Sequence, residues 1–240
     1  MKYQGDHLDY RSYRYERKFV TTLSAQHVLA EYVTRHPAMF IIEYPARRVS
    51  NLYLDTPGLK FYNDHVHGAN QRKKVRIRWY GSLREQADNS VLEIKERHGG
   101  VNVKYAAPAL PFSLAELENK CNFELNHRNS QLCTMHGIDA GLLQPALINS
   151  YTRYYYVSAD GVFRLTVDHG IENFMVQGNV KRLHAGIDGE STVIELKYNL
   201  KDGNNVPGIS NFFPFRVSRN SKYINGINTM LKNNFLVNMV

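Results

Sequence analysis

Polar and apolar residues alternate most strictly between Arg72 and Tyr80. Arg72, Lys74, Arg76 and Arg78 take one parity there, and Val75, Ile77 and Trp79 the other. A period of two predicts a strand with one charged and one apolar face. Similar alternation predicts strands over 13–21, 49–55 and 192–200, with a short one over 174–177. Two hairpins are expected. One joins 91–97 to 101–106 through His98-Gly99-Gly100, and the other joins 148–158 to 162–168 through Ala159-Asp160-Gly161. Helical spacing covers 24–35, which Ser24 caps and Pro37 ends, then a short segment after Thr56-Pro57-Gly58, then 113–137 and 220–233. Residues 1–12 are polar and read as a frayed N-terminal segment. Residues 13–240 read as one domain, an antiparallel barrel-like α+β fold with helices at its margins.

Composition supports a packed core. Hydrophobic residues make up 43% of the chain and charged residues 22%, an ordinary globular balance. No apolar run approaches the roughly 18 residues of a membrane helix, and the first residues hold no apolar leader segment. A cytoplasmic location is the expectation. Cys121 and Cys133 are the only cysteines, too few for a disulfide scaffold or a zinc cluster.

Lys plus Arg number 30 against 22 Asp plus Glu, and such a surplus suggests an anionic partner. Parity says where the charge gathers. Glu16 and Lys18 form an E-x-K pair. Glu93 and Lys95 repeat it, as do Glu195 and Lys197, each with apolar neighbours on the opposite parity. Arg164, Thr166 and Asp168 share a face, and Arg153 lies on a strand full of tyrosines. One E-x-K is worth little, since any exposed strand carries such pairs. Three of them beside R-x-R argue for a closed sheet with a charged interior. Its cations would be Lys18, Arg76, Arg78, Lys95, Arg153, Arg164, Lys197 and Lys222. Its anions would be Glu16, Glu93, Asp168 and Glu195. The surplus is costly to bury without a partner. Arginines clamp phosphate oxygens through paired hydrogen bonds, and carboxylates in such a site hold a divalent metal.

The motifs carrying these residues resemble the VTC polyphosphate-polymerase domain. They are YERKF (15–19), LYLDT (52–56), VRIRWYG (75–81), LEIKER (92–97), YTRYYY followed by FRLTVD, VIELKY (193–198) and SRNSKYINGI (218–227). Their order and spacing agree over roughly 13–230. The resemblance implies a triphosphate tunnel metalloenzyme, an antiparallel eight-stranded β-barrel tunnel with flanking helices shared with the CYTH phosphatases. It implies transfer of the ATP γ-phosphate to polyphosphate, with Mn²⁺ or Mg²⁺. Arg76, Arg78, Arg153 and Arg164 would form the catalytic clamp, and Lys18, Lys74, Lys95, Lys197 and Lys222 would bind substrate. Glu195 would hold metal, helped by Glu93 or Glu16. Lys222 would lie along the phosphate path.

One departure separates the sister families. CYTH hydrolases begin E-x-E-x-K, whereas here the frame reads Arg14, Glu16, Lys18. That favours a polymerase. The alternatives are a tunnel-fold tripolyphosphatase or nucleoside triphosphatase, and a non-catalytic polyanion-binding module. Expected ligands are ATP or another triphosphate, and polyphosphate or pyrophosphate. No nucleic acid is expected, since such a module would carry its basic groups on an outer face with aromatic platforms. The resemblance extends to a catalytic domain standing alone, without the SPX domain and membrane helices of eukaryotic relatives, and leaves room for a separate membrane partner. P-loop, dinucleotide and G-x-S-x-G motifs are absent. His65 and His67 are a weak metal pair without a third ligand, and Tyr154–Tyr156 are expected to fill core and interface positions.

Overall fold

The computed structural model describes residues 14–83, 85–98, 101–114, 117, 125–176, 185–187, 191–199 and 206–232. The polar segment 1–12, the turn glycines 99 and 100, and most of 115–124 lie outside the described residues.

The chain runs β1 (Arg14–Thr21), α1 (Ala25–Val28) continuing as a π-helical turn (Leu29–Val33), β2 (Ile41–Asp55), α2 (Lys60–Val66), β3 (Gln71–Tyr80), β4 (Val91–His98), β5 (Val101–Pro108) and α3 (His127–Met135). It continues with β6 (Gln144–Val157), β7 (Arg164–Met175), β8 (Ala185–Ile187), β9 (Thr192–Asn199), α4 (Val206–Ser210) and α5 (Lys222–Lys232). Eight strands form one antiparallel sheet in the order β1-β9-β7-β6-β2-β3-β4-β5, and β8 pairs with β7. Among the described residues the hydrogen-bonded ladder is not closed: β1 and β5 are its two ends, and the free edge of β1 carries an isolated bridge from Phe19 to Val217. A side-chain ion pair spans the interior instead, with Lys95 Nζ of β4 at 3.3 Å from Glu16 Oε1 of β1.

Register sorts the residues. Glu16 faces Lys197 and Lys18 faces Glu195. Arg153 faces Asp168, Asn51 faces Arg78, and Tyr53 faces Arg76. Arg76 faces Glu93, and Lys74 faces Lys95. Partners across a ladder point to the same side, so the charged parity of every strand lines one concave inner face.

The apolar parity faces outward and is covered by helices. Leu52, Val75, Ile77, Trp79, Leu92 and Ile94 pack with Leu132 and Cys133 of α3. Phe19, Leu165, Val167, Ile194 and Leu196 pack with Val28 of α1, Val33 and Val206 of α4. Among the described helices, α5 lies against the inner face, setting Tyr223, Ile227 and Met230 on Tyr53 and Leu147, with Tyr62 of α2 at the edge of the same cluster. The 3–4 spacing of those residues gives the helix its single apolar stripe. Gly226 permits the approach, because a Cβ there would stand 2.5 Å from Leu147 Cδ2 and 2.9 Å from Asn173 Oδ1.

The strands agree with the alternation, with three differences, one of them the three-residue β8, which no pattern announced. β2 begins at Ile41, eight residues before the segment the pattern predicts. Pro45 cannot donate to a ladder, and the register shifts between Ile42 and Tyr44 and between Tyr44 and Arg47, which hides the period. The predicted strands over 162–168 and 174–177 are one continuous β7. Among the described residues, no helix is long and apolar enough to cross a membrane.

Candidate functional site

The inner face is a set of guanidinium groups held from behind. Arg76 donates from Nε (2.8 Å) and Nη2 (2.5 Å) to Glu93 Oε2. Arg153 makes a fork with Asp168, Nε to Oδ1 at 2.5 Å and Nη2 to Oδ2 at 2.7 Å. Lys222 Nζ donates to the same Asp168 Oδ2 at 2.5 Å and sits 4.6 Å from the centre of the Tyr151 ring. Arg78 Nε donates to Asn51 Oδ1 at 3.0 Å, and Asn51 Nδ2 in turn donates to Asn149 Oδ1 at 2.8 Å. Each contact fixes a side chain, and the three arginines use only part of their five donors in making them.

Lysines fill the spaces between. Lys18 Nζ lies 3.2 Å from Glu16 and 3.8 Å from Glu195. Lys197 Nζ lies 3.8 Å from Glu195, as does Arg153 Nη2. Lys104, which parity did not single out, is 3.2 Å from Glu93. Lys74 donates to Ser221 Oγ at 2.9 Å and has no carboxylate within ion-pair distance among the described residues.

The electrostatics follow from burial and from the surplus. Burial alone would raise the carboxyls, but Arg76, Arg78 and Lys104 hold Glu93 well below its usual range. Asp168 is likewise depressed, to about 2, because Arg153 and Lys222 outweigh its burial. Glu195 is held well down by Lys197, Lys18 and Arg153 against the same burial. Burial lowers Lys18, yet Glu195 and Glu16 leave it raised overall. Lys74 is pushed well below a normal lysine by burial and then by Lys18, Lys95 and Arg76. Glu16 works in the opposite direction but does not outweigh them.

A cavity of about 930 Å³ opens beside this region. Glu16, Lys18, Lys74 and Lys95 line it, and Arg72, Arg97 and Arg219 extend its positive wall. His65 lines it too, and burial together with Lys74, Arg72 and Arg97 holds its ring down to about 4. His67 instead bonds the Asn63 carbonyl at 2.9 Å, so the two histidines do not converge.

Of the predicted site residues, Lys18, Lys74, Arg76, Arg78, Lys95, Arg153, Lys197 and Lys222 are gathered on the inner face. Arg164 shares their parity but stands at the rim, half exposed, with Nε 3.2 Å from Glu43. The three carboxylates proposed for metal separate. Glu16 and Glu195 flank Lys18, whereas Glu93 belongs to the Arg76 side. Among the described residues, no three His, Cys, Asp or Glu side chains converge as a metal cluster. The Arg14 side chain lies outside the described residues. Asp55, whose motif carried no assigned chemistry, is a buried brace. It accepts from the backbone N–H of Thr56 (2.7 Å), Phe61 (2.9 Å) and Tyr62 (3.0 Å) and from the Tyr223 hydroxyl (2.5 Å). It joins β2, α2 and α5. Asn51, Asn149 and Ser221 are site residues that sequence reasoning missed, because single amides and hydroxyls carry no pattern.

The VTC domain profile matches residues 13–231. No curated protein matches the chain. Among solved structures, a candidate adenylate cyclase from Bacillus halodurans is similar with a TM-score of 0.53 and 14% identity, over 88% of this chain and 95% of that one. A candidate adenylate cyclase from Vibrio parahaemolyticus gives 0.50 and 13%, over 89% and 98%. These likenesses concern the fold. The family match spans nearly the whole chain, which belongs to the VTC domain family.

Proposed function

We propose that this VTC-domain chain is a phosphotransferase that moves the γ-phosphate of ATP, or of a related triphosphate, onto a polyphosphate chain lying in the tunnel. The observation that carries the reading is the uncompensated cation at its centre: Lys74, enclosed by Lys18, Lys95 and Arg76, with a serine hydroxyl as its hydrogen-bond partner. Two further groups on the inner face support it. Thr166 Oγ1 and Asn149 Nδ2 are buried without a hydrogen-bond partner, and such groups normally have one. Phosphate oxygens accept from lysine, guanidinium and amide donors alike.

Phosphoryl transfer asks mainly for positioning and charge stabilisation. Arg76, Arg78 and Arg153 are oriented by Glu93, Asn51 and Asp168, so their free donors are in place before substrate arrives. Lys18 and Lys74 neutralise the oxygens between them. The attacking group is the end of a phosphate chain, so no protein nucleophile is required. The cations continue beyond the clamp to Arg72, Arg97 and Arg219, which gives an acceptor polyanion a positive path. Glu16 and Glu195, brought together at Lys18, fit the carboxylate share of a Mn²⁺ or Mg²⁺ site, whose other ligands are commonly phosphate oxygens and water. When bound, such an ion neutralises charge on the phosphates. Glu93, tied to Arg76 and Lys104, is not part of that set.

The test is incubation of the full chain with ATP and Mn²⁺, followed by resolution of products on a gel and by phosphate release. Long-chain polyphosphate with ADP is the expected product. Orthophosphate alone would identify the runner-up hydrolase, and binding without turnover a polyanion-binding module.

A further inference from the structure

The end of the inner face away from the arginine-lined cavity is built from aromatic rings. Along β3 the inward parity runs Arg72, Lys74, Arg76, Arg78 and then Tyr80. At that end the Arg47 guanidinium lies 5.2 Å from the centre of the Tyr80 ring, 5.3 Å from Tyr44 and 5.7 Å from Tyr155. The Tyr44 and Tyr155 rings meet edge to face at 5.9 Å, and burial together with the neighbouring Tyr80 holds the Tyr155 phenol above its usual range. These rings do not fill a core, since Tyr44 is 46% exposed and Tyr80 53%. Nor does Arg47 serve an ion pair among the described residues. The nearby Glu43 is taken by Arg164 at 3.2 Å.

A guanidinium stacked among half-open tyrosine faces suits a flat π-system. Its position makes the ligand more specific. Arg47 is the register partner of Arg153. Tyr155 is two residues from Arg153, and Tyr80 two from Arg78. One same-face step along a strand is about 6.6–6.8 Å, so the rings stand a sugar's width from the first clamp arginines. We propose that Arg47, Tyr44, Tyr80 and Tyr155 seat the base of a nucleoside triphosphate, with its phosphates directed inward to Arg78 and Arg153. The inference rests on the triphosphate reading above and adds to it a direction and the residues that hold the base. The nucleotide enters by the aromatic end, its terminal phosphate goes deepest, and the arginine-lined cavity is left to the polymer.

Calorimetry on the full chain tests this with two probes, ATP and inorganic tripolyphosphate, in one Mg²⁺ buffer. Stacking of a base on an aromatic ring predicts that Tyr80→Ala lowers the ratio of ATP to tripolyphosphate affinity by about 5- to 100-fold. Tyr44→Ala lowers it in the same sense. Tyr80→Phe, which keeps the ring and loses the hydroxyl, preserves the ratio. An unmoved ratio in both alanine variants, or an equal loss for both ligands, overturns the base seat while leaving the triphosphate site standing. A wild-type chain that binds neither ligand overturns the triphosphate reading, and the base seat with it.

Discussion

Lys74 is the residue on which the inner face can best be interrogated. Its folded-state pKa is depressed by burial and by Lys18, Lys95 and Arg76, so bound phosphates must raise it. Binding of tripolyphosphate is therefore expected to take up protons from solution at pH values between the free and bound pKa. Calorimetry in buffers of different ionisation enthalpy measures that uptake, and Lys74→Met should abolish most of it. Asp168 behaves oppositely. Its pKa of about 2 lies below the ordinary 3.8, so the stability it contributes is present above pH 4 and is lost as the pH falls toward 2. Asp168→Asn leaves Arg153 and Lys222 buried without their carboxylate. A loss of about 3–5 kcal/mol is expected at pH 7, read from denaturant unfolding, and the gap from wild type should narrow below pH 3.

At the scale of elements, α5 is the piece that turns a curled sheet into a site. It places Ser221 and Lys222 over the inner face and is held by the fit of Gly226 against Leu147 and Asn173. Gly226→Ala should destabilise the fold by about 1–3 kcal/mol through overpacking, and should weaken triphosphate binding by shifting Ser221 and Lys222. Unchanged stability and affinity would show that the helix is not seated so closely. The same scale explains what was legible in the sequence. Alternation in β3, β4 and β9 identified a charged face because parity is a local property. It could not tell how far along the tunnel a residue stands, which is why Arg164 reads like Arg153 yet lies at the rim. Nor could it say which carboxylate meets which cation. Glu16 and Glu195 converge because β1 lies beside β9, while Glu93 meets Arg76 because β4 lies beside β3. Sheet order decides that, and sheet order is set by the whole chain. Pro45 concealed the first half of β2, and with it Arg47 and Tyr44.

For the whole molecule, the dominant quantity is positive charge held on one concave surface. A ligand that binds only the folded state stabilises it by mass action. Tripolyphosphate at 100 times its dissociation constant should add about 2.7 kcal/mol, raising Tm by roughly 5–10 °C for a chain of this size. The gain should shrink steeply with added salt as exposed charges are screened. A salt-insensitive shift would argue that binding does not depend on the lysines and arginines of the inner face.

The sheet's two ends have a mechanical meaning. A ring closed by backbone hydrogen bonds admits a polymer only by its tip, so a long chain must be threaded. Here, among the described residues, β1 and β5 are the two ends of the ladder, and the free edge of β1 is met at an isolated bridge from Phe19 to Val217, with the Ser218 N–H donating to the Lys18 carbonyl at 2.8 Å. That bridge and the Lys95–Glu16 ion pair can part while every rung of the eight-strand sheet stays in place. The wall is a cuff with a latch, and a cuff of that kind would let a long polyanion be laid in sideways, mid-length, and let go the same way.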